Sequence, residues 1–206
     1  MSFDDKAREW DNDPKKTERA ALFAREIEKH IDSGFAGKGL EFGCGTGLLS
    51  FQLKDKFNSI TLVDSSAGMI EVLKEKIQSN NISNFYPLFL ESLDDKALTD
   101  KFDAIFTLMV LHHIIDIDSM LAQFNARLVK GGILCIGDLV KEDGSFHSHE
   151  AGFDGHNGFD KDELAEKLSK AGFEIVNHTI FYEIVKQTDS SGKKYPLFSL
   201  IARKIT

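Results

Sequence analysis

Cysteine, basic runs and long apolar stretches are scarce in this sequence, and each scarcity excludes a class of protein. The two cysteines, Cys44 and Cys135, lie far apart in apolar segments bounded by glycine, which is not the pattern of a secreted disulfide framework. No apolar run approaches the roughly 20 residues of a membrane span. The opening residues, MSFDDKAREWDNDP, are charged and lack the apolar region of a signal peptide. We therefore expect a cytoplasmic protein without a membrane span.

Positive charge is also in short supply. The chain has 25 Lys and Arg against 33 Asp and Glu, which gives a formal net charge of −8. Binding to a nucleic-acid backbone requires clustered cations that neutralise phosphates, and no basic run here is longer than a pair. The composition therefore argues against nucleic acid and against an anionic membrane surface as partners. It is compatible with a cationic cofactor.

What the sequence does contain is an alternation of apolar runs and segments with helical periodicity. An amphipathic helix is predicted from Pro14 with Asp13 as its N-cap, and a later helix is predicted over residues 117–129. The predicted strands are KGLEFGCG, SITLVD, NFYPLFLE, FDAIFTLMVL, KGGILCIGDLV, FEIVNHTIFYEIV and YPLFSLIARKI. This order predicts an α/β fold with a doubly wound, mostly parallel seven-stranded sheet and an antiparallel C-terminal hairpin.

The 206 residues are expected to form one domain with four parts. We predict an N-terminal helical lid (1–32), a cofactor-binding core (33–139), a substrate-side loop (140–158) and a C-terminal helix with a strand pair (159–206). The hairpin at the sheet edge offers a surface for a homodimer, although nothing in the sequence requires one.

The first predicted strand ends in the glycine loop EFGCGTG, residues 41–47. Glycines at the carboxyl end of a parallel strand allow a ligand to lie against the backbone, and the helix that follows favours an anionic group. A dinucleotide fingerprint requires G-x-G-x-x-G, but Leu48 stands where the last glycine is needed. Glu41 suits an ammonium group better than a pyrophosphate. Asp64, after the second strand, suits ribose hydroxyls, although a helix N-cap would explain it equally well.

Together with four later segments, this loop resembles the class I S-adenosylmethionine-dependent methyltransferases. LEFGCGTG is similar to the first motif of that family, LVD to the acidic end of its second strand, and FLESLDD to its adenine segment. FDAIFTLMVLHHI resembles the fourth-strand motif and LVKGGILCIGDL the fifth, with Lys130 where the family usually has proline. The resemblance covers about residues 35–204 and points to the small-molecule branch, which includes enzymes of ubiquinone and menaquinone biosynthesis.

The resemblance implies S-adenosyl-L-methionine as cofactor and S-adenosyl-L-homocysteine as product. In that family the glycine loop lies against the methionine end, the two acidic residues hold the ammonium and the ribose, and the third segment holds the adenine. The implied cofactor contacts are Glu41, Gly43, Cys44, Gly45, Gly47, Asp64, Ser65, Met69, Glu91, Ser92, Leu93 and, near the sulfonium, Met109.

The same resemblance implies methyl transfer by in-line displacement to a small-molecule acceptor at O, S, C or N. Relatives that methylate nucleobases or protein glutamine carry an Asn/Asp-Pro-Pro-aromatic motif after the fourth strand, and this chain lacks it. One alternative is a regulatory or scaffold protein that binds the cofactor without turnover. A nicotinamide-dependent oxidoreductase is a second alternative, disfavoured by Leu48 and by the absence of a Tyr-x-x-x-Lys pair.

The histidines supply the candidate catalytic groups. The loop GSFHSHEAGFDGHNGF, residues 144–159, is expected at the carboxyl edge of the sheet and is open to three interpretations. It could hold a metal through His147, His149 and His156 with Asp154, it could be a solvated polar loop, or it could contact the substrate. We favour substrate contact without a metal, with His147 or His149 as a base and Phe146, Phe153 and Phe159 as apolar walls.

Two further histidines follow the fourth strand directly. Capping and packing would explain both, but His112 is the better candidate for a catalytic role and His113 for substrate contact. Trp10 and His156 complete the predicted substrate-binding set, with Trp10 either part of the lid or an anchor on the core.

Overall fold

Seven strands in one sheet form the centre of the computed structural model, which describes residues 3–32, 36–149, 152–187 and 192–205. The strands are β1 Lys38–Phe42, β2 Ser59–Asp64, β3 Phe85–Phe89, β4 Phe102–Leu108, β5 Leu128–Leu139, β6 Phe173–Gln187 and β7 Gly192–Lys204. Their order is β3-β2-β1-β4-β5-β7-β6, with β1 to β5 parallel and β7 antiparallel between β5 and β6. The predicted fold class is confirmed. A turn, TDSSGKK, is predicted between the last two strands, and its first four residues, 188–191, lie outside the described residues.

Six helices accompany the sheet: α1 Phe3–Lys6, α2 Pro14–Glu28, α3 Leu48–Leu53, α4 Ala67–Ser79, α5 Ile117–Arg127 and α6 Lys161–Lys170. A 3₁₀ helix, Ala7–Asn12, joins α1 to α2. The predicted N-cap of α2 is present, since the Asp13 side chain accepts a hydrogen bond from the backbone N–H of Lys15. The buried face of α2 carries Ala20, Phe23, Ala24 and Ile27. Apolar residues from the helices and the sheet form the main core. None of the described helices has the length and apolar content to cross a bilayer.

Several element boundaries differ from the sequence prediction, and two of the differences have a clear physical cause. The helix expected over residues 117–129 ends at Arg127, because Leu128 already pairs with Phe102 as the first residue of β5. The fourth strand ends at Leu108, because Met109 adopts a left-handed conformation with φ of +58°. Both changes follow from tertiary pairing, which overrides local periodicity.

The strand order reverses at β1, with β2 and β3 on one side and β4 and β5 on the other. In open parallel sheets, the crevice beyond the carboxyl ends at such a switch point is the usual ligand site. This topology brings the ends of β1, β2 and β4 to one edge, together with the loops that follow them.

Candidate active site

A cavity of about 620 Å³ lies at this edge of the sheet. One wall comes from the ends of β1, β2, β3 and β4, and the other from α1, α2, the loop after β5 and the end of β6. The volume lies within the usual range for small-molecule sites, which is roughly 300–1,000 Å³.

The glycine loop forms the floor of the cavity through Gly43, Cys44 and Gly45. Gly43 and Cys44 donate their backbone N–H groups to Val63 O, at 2.8 and 3.0 Å, which ties the loop to β2. At Gly43, with φ of +69°, a Cβ would lie 2.4 Å from a side-chain carbon of Val110. Burial raises the pKa of the Cys44 thiol well above its ordinary value, so it stays protonated and is no candidate nucleophile.

Gly47 is absent from the cavity wall, contrary to its expected cofactor contact. It is the N-cap of α3 with φ of +82°, and a Cβ there would lie 2.8 Å from Leu73 Cδ1. Its role is to allow the tight entry into α3 and the close packing of α3 against α4.

Two carboxylates flank the loop. Glu41, 3 % exposed, accepts hydrogen bonds from the backbone N–H of Ser50 at 3.1 Å and from the Ser50 hydroxyl. Desolvation raises the pKa of Glu41 to about 8, against the lowering effect of the Ser50 hydrogen bonds. Asp64 accepts from the backbone N–H of Gly45 at 2.7 Å and of Ser66 at 2.8 Å, and burial raises its pKa as well. Neither carboxyl group forms an ion pair with a basic side chain among the residues that the structure describes.

The side of the cavity next to Asp64 is lined by Ser65, Met69, Leu90 and Glu91. Ser92 and Leu93, which were expected to hold an adenine edge, do not line it. The Ser92 hydroxyl and the Leu93 N–H both donate to Gln123 Oε1, at 3.0 and 3.1 Å, and Leu93 is completely buried in the core. Of the three residues expected there, Glu91 alone lines the cavity, next to Leu90, which was not predicted.

The N-terminal segment, residues 3–13, covers one side of the cavity. Two of its acidic residues, Asp4 and Asp11, hold it to the rest of the protein. Asp4 Oδ1 accepts from the Ser66 hydroxyl at 2.5 Å and from the Gly68 N–H at 2.8 Å. Asp11 accepts from the Thr46 hydroxyl at 2.5 Å and from Lys76 Nζ at 2.6 Å. Both contacts join the N-terminal segment to the glycine loop and to α4, and Trp10 then lies half-buried at the cavity wall.

The opposite wall is built around the end of β4. The N–H of Met109 donates to Gly137 O at 2.7 Å, and this places Met109 and Val110 beside the glycine loop. A 3₁₀ helix, Leu111–His113, follows and turns His112 and His113 to the cavity.

His112 is paired with a carboxylate that sequence reasoning missed. Its Nδ1 lies 2.6 Å from Asp138 Oδ1, and both side chains are almost fully buried. Asp138 also accepts from the backbone N–H groups of His112 (3.2 Å) and Leu139 (2.7 Å). With a proton on Nδ1 shared with Asp138, the other ring nitrogen is free to accept a proton, which is the arrangement that orients a general base. The only sequence signal was one acidic residue in an otherwise apolar strand.

His113 and His147 join His112 in an imidazole cluster (His112, His113 and His147). The ring centroid of His112 lies 4.2 Å from that of His113 and 5.1 Å from that of His147. One ring nitrogen from each lies within 4.8 Å of the others, a spacing that could also hold a metal. The structure thus brings together two histidines from the end of β4 with one from the loop after β5.

Of the other residues predicted from the loop after β5, Phe146 lines the cavity, whereas His149, Phe153 and His156 do not. His149 is exposed, because residues 146–149 form a turn and not the extended backbone that would put His147 and His149 on one side. His156 donates its backbone N–H to His112 O at 2.7 Å, and its ring contacts Ile115 O. The Phe153 ring stacks on the His147 ring, with the two ring centroids 3.9 Å apart, but Phe153 does not itself line the cavity. Phe146 does line it. The metal set that was one interpretation of this loop, His147, His149 and His156 with Asp154, is therefore not assembled. Residues 150 and 151 are outside the described part.

Cationic side chains, also missed from the sequence, line the half of the cavity opposite the two carboxylates. Lys16 and Arg19 come from α2 and Lys186 from the end of β6. The spacing of three residues between Lys16 and Arg19 was visible in the sequence, but no sequence pattern showed that this face of α2 borders a cavity.

Comparison with known proteins gives one family. Residues 40–134 match the family model described as a methyltransferase domain. The chain is 34% identical over 117 residues to an uncharacterized methyltransferase of Schizosaccharomyces pombe, covering 53% of this chain and 41% of that protein. It is 35% identical over 105 residues to a ubiquinone biosynthesis O-methyltransferase of Pelagibacter ubique, covering 50% and 42%. The chain thus spans less than half the length of these curated relatives.

A solved S-adenosylmethionine-dependent methyltransferase from Clostridium acetobutylicum superposes with a TM-score of 0.66 at 17% identity. The match covers 98% of this chain and 96% of that one. Likeness at this identity shows a shared fold across nearly the whole length.

Proposed function

We propose that this chain transfers a methyl group from S-adenosyl-L-methionine to a small-molecule acceptor, since residues 40–134 match the methyltransferase domain model and the relatives it resembles are methyltransferases. The observation that carries this proposal is the acidic half of the cavity. There, Glu41 and Asp64 flank a glycine floor on which Gly43 has no room for a side chain.

The residues present fit this cofactor group by group. Glu41 is the acceptor for an ammonium group, because it is the more deeply buried of the two carboxyl groups and the one whose pKa burial raises to about 8, so it gains most from a cation in contact. Asp64 accepts ribose hydroxyls, and Ser65, Met69, Leu90 and Glu91 form the wall for the adenine. A pyrophosphate would place further negative charge between two carboxylates, so a nicotinamide dinucleotide fits poorly.

Positioning is the main contribution that this protein makes to the reaction. When bound, the cofactor supplies a methyl group on a cationic sulfur, and the group that leaves is a neutral thioether. Holding two reactants in line can contribute about 7–11 kcal/mol. A general base adds about 10²–10⁴-fold, which corresponds to roughly 3–5 kcal/mol. The closed cavity under the N-terminal segment serves the larger of these effects.

The base is best assigned to His112, and His147 and His113 shape the acceptor side of the cavity. As the acceptor atom bonds to the methyl carbon, its proton passes to the free ring nitrogen of His112. Asp138 then stabilises the resulting imidazolium, as a buried carboxylate does for a catalytic histidine elsewhere. The exposed His149 takes no part. The domain subdivision, the cytoplasmic location and a homodimer stay predictions.

Calorimetry and single-turnover kinetics test these roles. We expect S-adenosyl-L-methionine and S-adenosyl-L-homocysteine to bind while NADH does not. With an acceptor in hand, His112→Asn should lower the single-turnover rate about 10²–10⁴-fold without changing cofactor affinity. His149→Asn is the matched control and should behave as wild type. Binding of NADH alone would overturn the cofactor, and an unchanged rate in His112→Asn would overturn the base.

A further inference from the structure

The two halves of the cavity carry opposite charge. The cofactor half presents Glu41, Asp64 and Glu91, while the half formed by the N-terminal segment, α2 and β6 is mostly cationic. The charged residues of that second half are Lys6, Lys16, Arg19 and Lys186, with Asp13 as the one described carboxylate among them. The chain as a whole has a net charge of −8, so a local excess of positive charge in a cavity is unusual for it and indicates a site for an anionic ligand.

We propose that the methyl acceptor carries an anionic oxygen group, a carboxylate or a phosphate, which Arg19, Lys16 and Lys186 bind. This inference rests on the proposed function, because it names the chemical class of the acceptor for the same site.

Arg19 is the strongest part of this group. Its Nε is buried and has no hydrogen-bond partner among the described residues. Desolvation lowers the pKa of Arg19, and Asp13 and Asp138 act on it only through their charge. A buried guanidinium donor left unmatched is unfavourable, and its planar fork fits a carboxylate or phosphate in two parallel hydrogen bonds.

Lys16 lies one turn before Arg19 on the same face of α2. Its Nζ lies 3.4 Å from the centroid of the Trp10 ring and donates to Trp10 O at 3.3 Å. These contacts hold the ammonium at the cavity wall, and an ammonium has three donors, so two can serve a ligand. Burial lowers the pKa of Lys16, as expected for a cation without a carboxylate in contact.

Lys186 reaches the cavity from the other side. Its Nζ lies 3.6 Å from the centroid of the Phe146 ring and donates to Phe146 O. Since Phe146 adjoins His147, this places the ammonium beside the imidazole cluster. The three cations therefore come from two separate elements and converge on one space.

Several exposed lysines elsewhere on the described surface form ion pairs with carboxylates. Lys141 pairs with Glu163, and Lys167 pairs with Asp118, in solvent-exposed ion pairs. Lys16 and Arg19 form no such ion pair with the residues that the structure describes, and the Arg19 Nε is buried, so exposure to solvent does not account for its charge.

The anionic group serves as an anchor, and a different atom of the acceptor receives the methyl group. The bond from the cofactor sulfur to the methyl carbon breaks as the bond to the acceptor atom forms. The acceptor proton leaves to His112, and the sulfonium charge is lost with the transfer. No further reactant is required.

Binding of matched probes to the protein saturated with S-adenosyl-L-homocysteine tests the inference. The probes are hydroxy carboxylates with their uncharged amides, and phosphate monoesters with their parent alcohols. We expect at least one anionic series to bind about tenfold or more tightly than its uncharged partners. Arg19→Gln should remove that preference, and Arg19→Lys should restore part of it. The two series distinguish a carboxylate from a phosphate.

Lys141→Gln is the matched control, because it removes an exposed cation far from the cavity and should bind the probes as wild type does. Equal binding of charged and uncharged probes, or an Arg19→Gln variant that keeps the preference, would overturn the inference and leave the methyltransferase assignment standing. Failure of S-adenosyl-L-homocysteine to bind would instead overturn the proposed function. Melting curves of both Arg19 variants show whether a loss of binding is a loss of fold.

Discussion

Replacing Glu41 with glutamine is expected to uncouple cofactor binding from proton release. Burial raises the pKa of Glu41 to about 8, so at pH 7 about nine-tenths of this carboxyl group is protonated in the empty protein. An ammonium group in contact with Glu41 favours the ionised form. Binding at pH 7 should therefore release about 0.9 proton from Glu41, and affinity should rise up to about tenfold per pH unit between roughly pH 5.5 and 7.5.

The size of the affinity change follows from two opposing terms. A hydrogen bond to a charged group contributes about 1.5–3 kcal/mol, and ionising Glu41 at pH 7.5 costs about 0.8 kcal/mol of this. The net loss in Glu41→Gln is then about 0.7–2.2 kcal/mol, or about 3- to 40-fold in affinity. Because the amide cannot ionise, the variant should also lose this proton release.

Calorimetry in two buffers of different ionisation enthalpy gives both quantities, since the released proton adds the heat of buffer protonation. Glu91→Gln is the control: Glu91 lines the same cavity but is exposed, so this variant should keep the proton release. The same observed enthalpy in both buffers for the wild-type protein, or an equal pH slope in Glu41→Gln, would refute the assignment of the ammonium to Glu41.

Four further predictions use the same structure. Because the pKa of Glu41 is raised in the folded protein, its contribution to stability is complete below pH about 4.5 and is lost as pH rises to about 8. The melting temperature of Glu41→Gln should therefore fall less over this pH range than that of the wild-type protein. Parallel curves of melting temperature against pH for the two proteins would argue against the raised pKa. Gly43→Ala should lose about 1–3 kcal/mol more free energy of unfolding, measured in urea, than Gly152→Ala. A Cβ at Gly43 would clash with Val110, whereas a Cβ at Gly152 meets nothing within 4 Å. Equal losses would mean that the glycine loop can move to accept the side chain. Asp11→Asn should speed proteolysis of the N-terminal segment and weaken cofactor binding, because it removes the ion pair with Lys76 and leaves a weaker acceptor for the Thr46 hydroxyl. Unchanged cleavage would mean that other contacts hold this segment. Prolonged chelator treatment should leave methyl transfer intact, because the proposed transfer uses His112 as a base and no metal, and a loss that zinc restores would reveal a metal at the imidazole cluster.

Sequence patterns were sufficient for the strand and helix order, because buried strands are apolar runs and α2 begins at an Asp-Pro pair that caps it. The glycine loop and the acidic residues Glu41 and Asp64 were recognisable for a similar local reason. Glu41 stands next to the glycine loop in the sequence and Asp64 directly ends a predicted strand, so both can be read from a stretch of a few residues.

Contacts between distant segments were not recognisable. Asp138 contacts His112 only because β4 and β5 are neighbours in the sheet. Arg19 and Lys186 line one cavity only because α2 packs against β6. His149 was misplaced because a turn, and not an extended segment, follows Phe146. Such arrangements depend on the packing of whole elements, which periodicity does not specify.

A crystal structure of the protein with S-adenosyl-L-homocysteine examines the acidic half of the cavity most directly. The amino group of the ligand should lie within hydrogen-bond distance of a Glu41 oxygen, and both ribose hydroxyls should donate to Asp64. A ligand that reverses these positions, or a pyrophosphate bound in the same place from a dinucleotide, would contradict the proposed site.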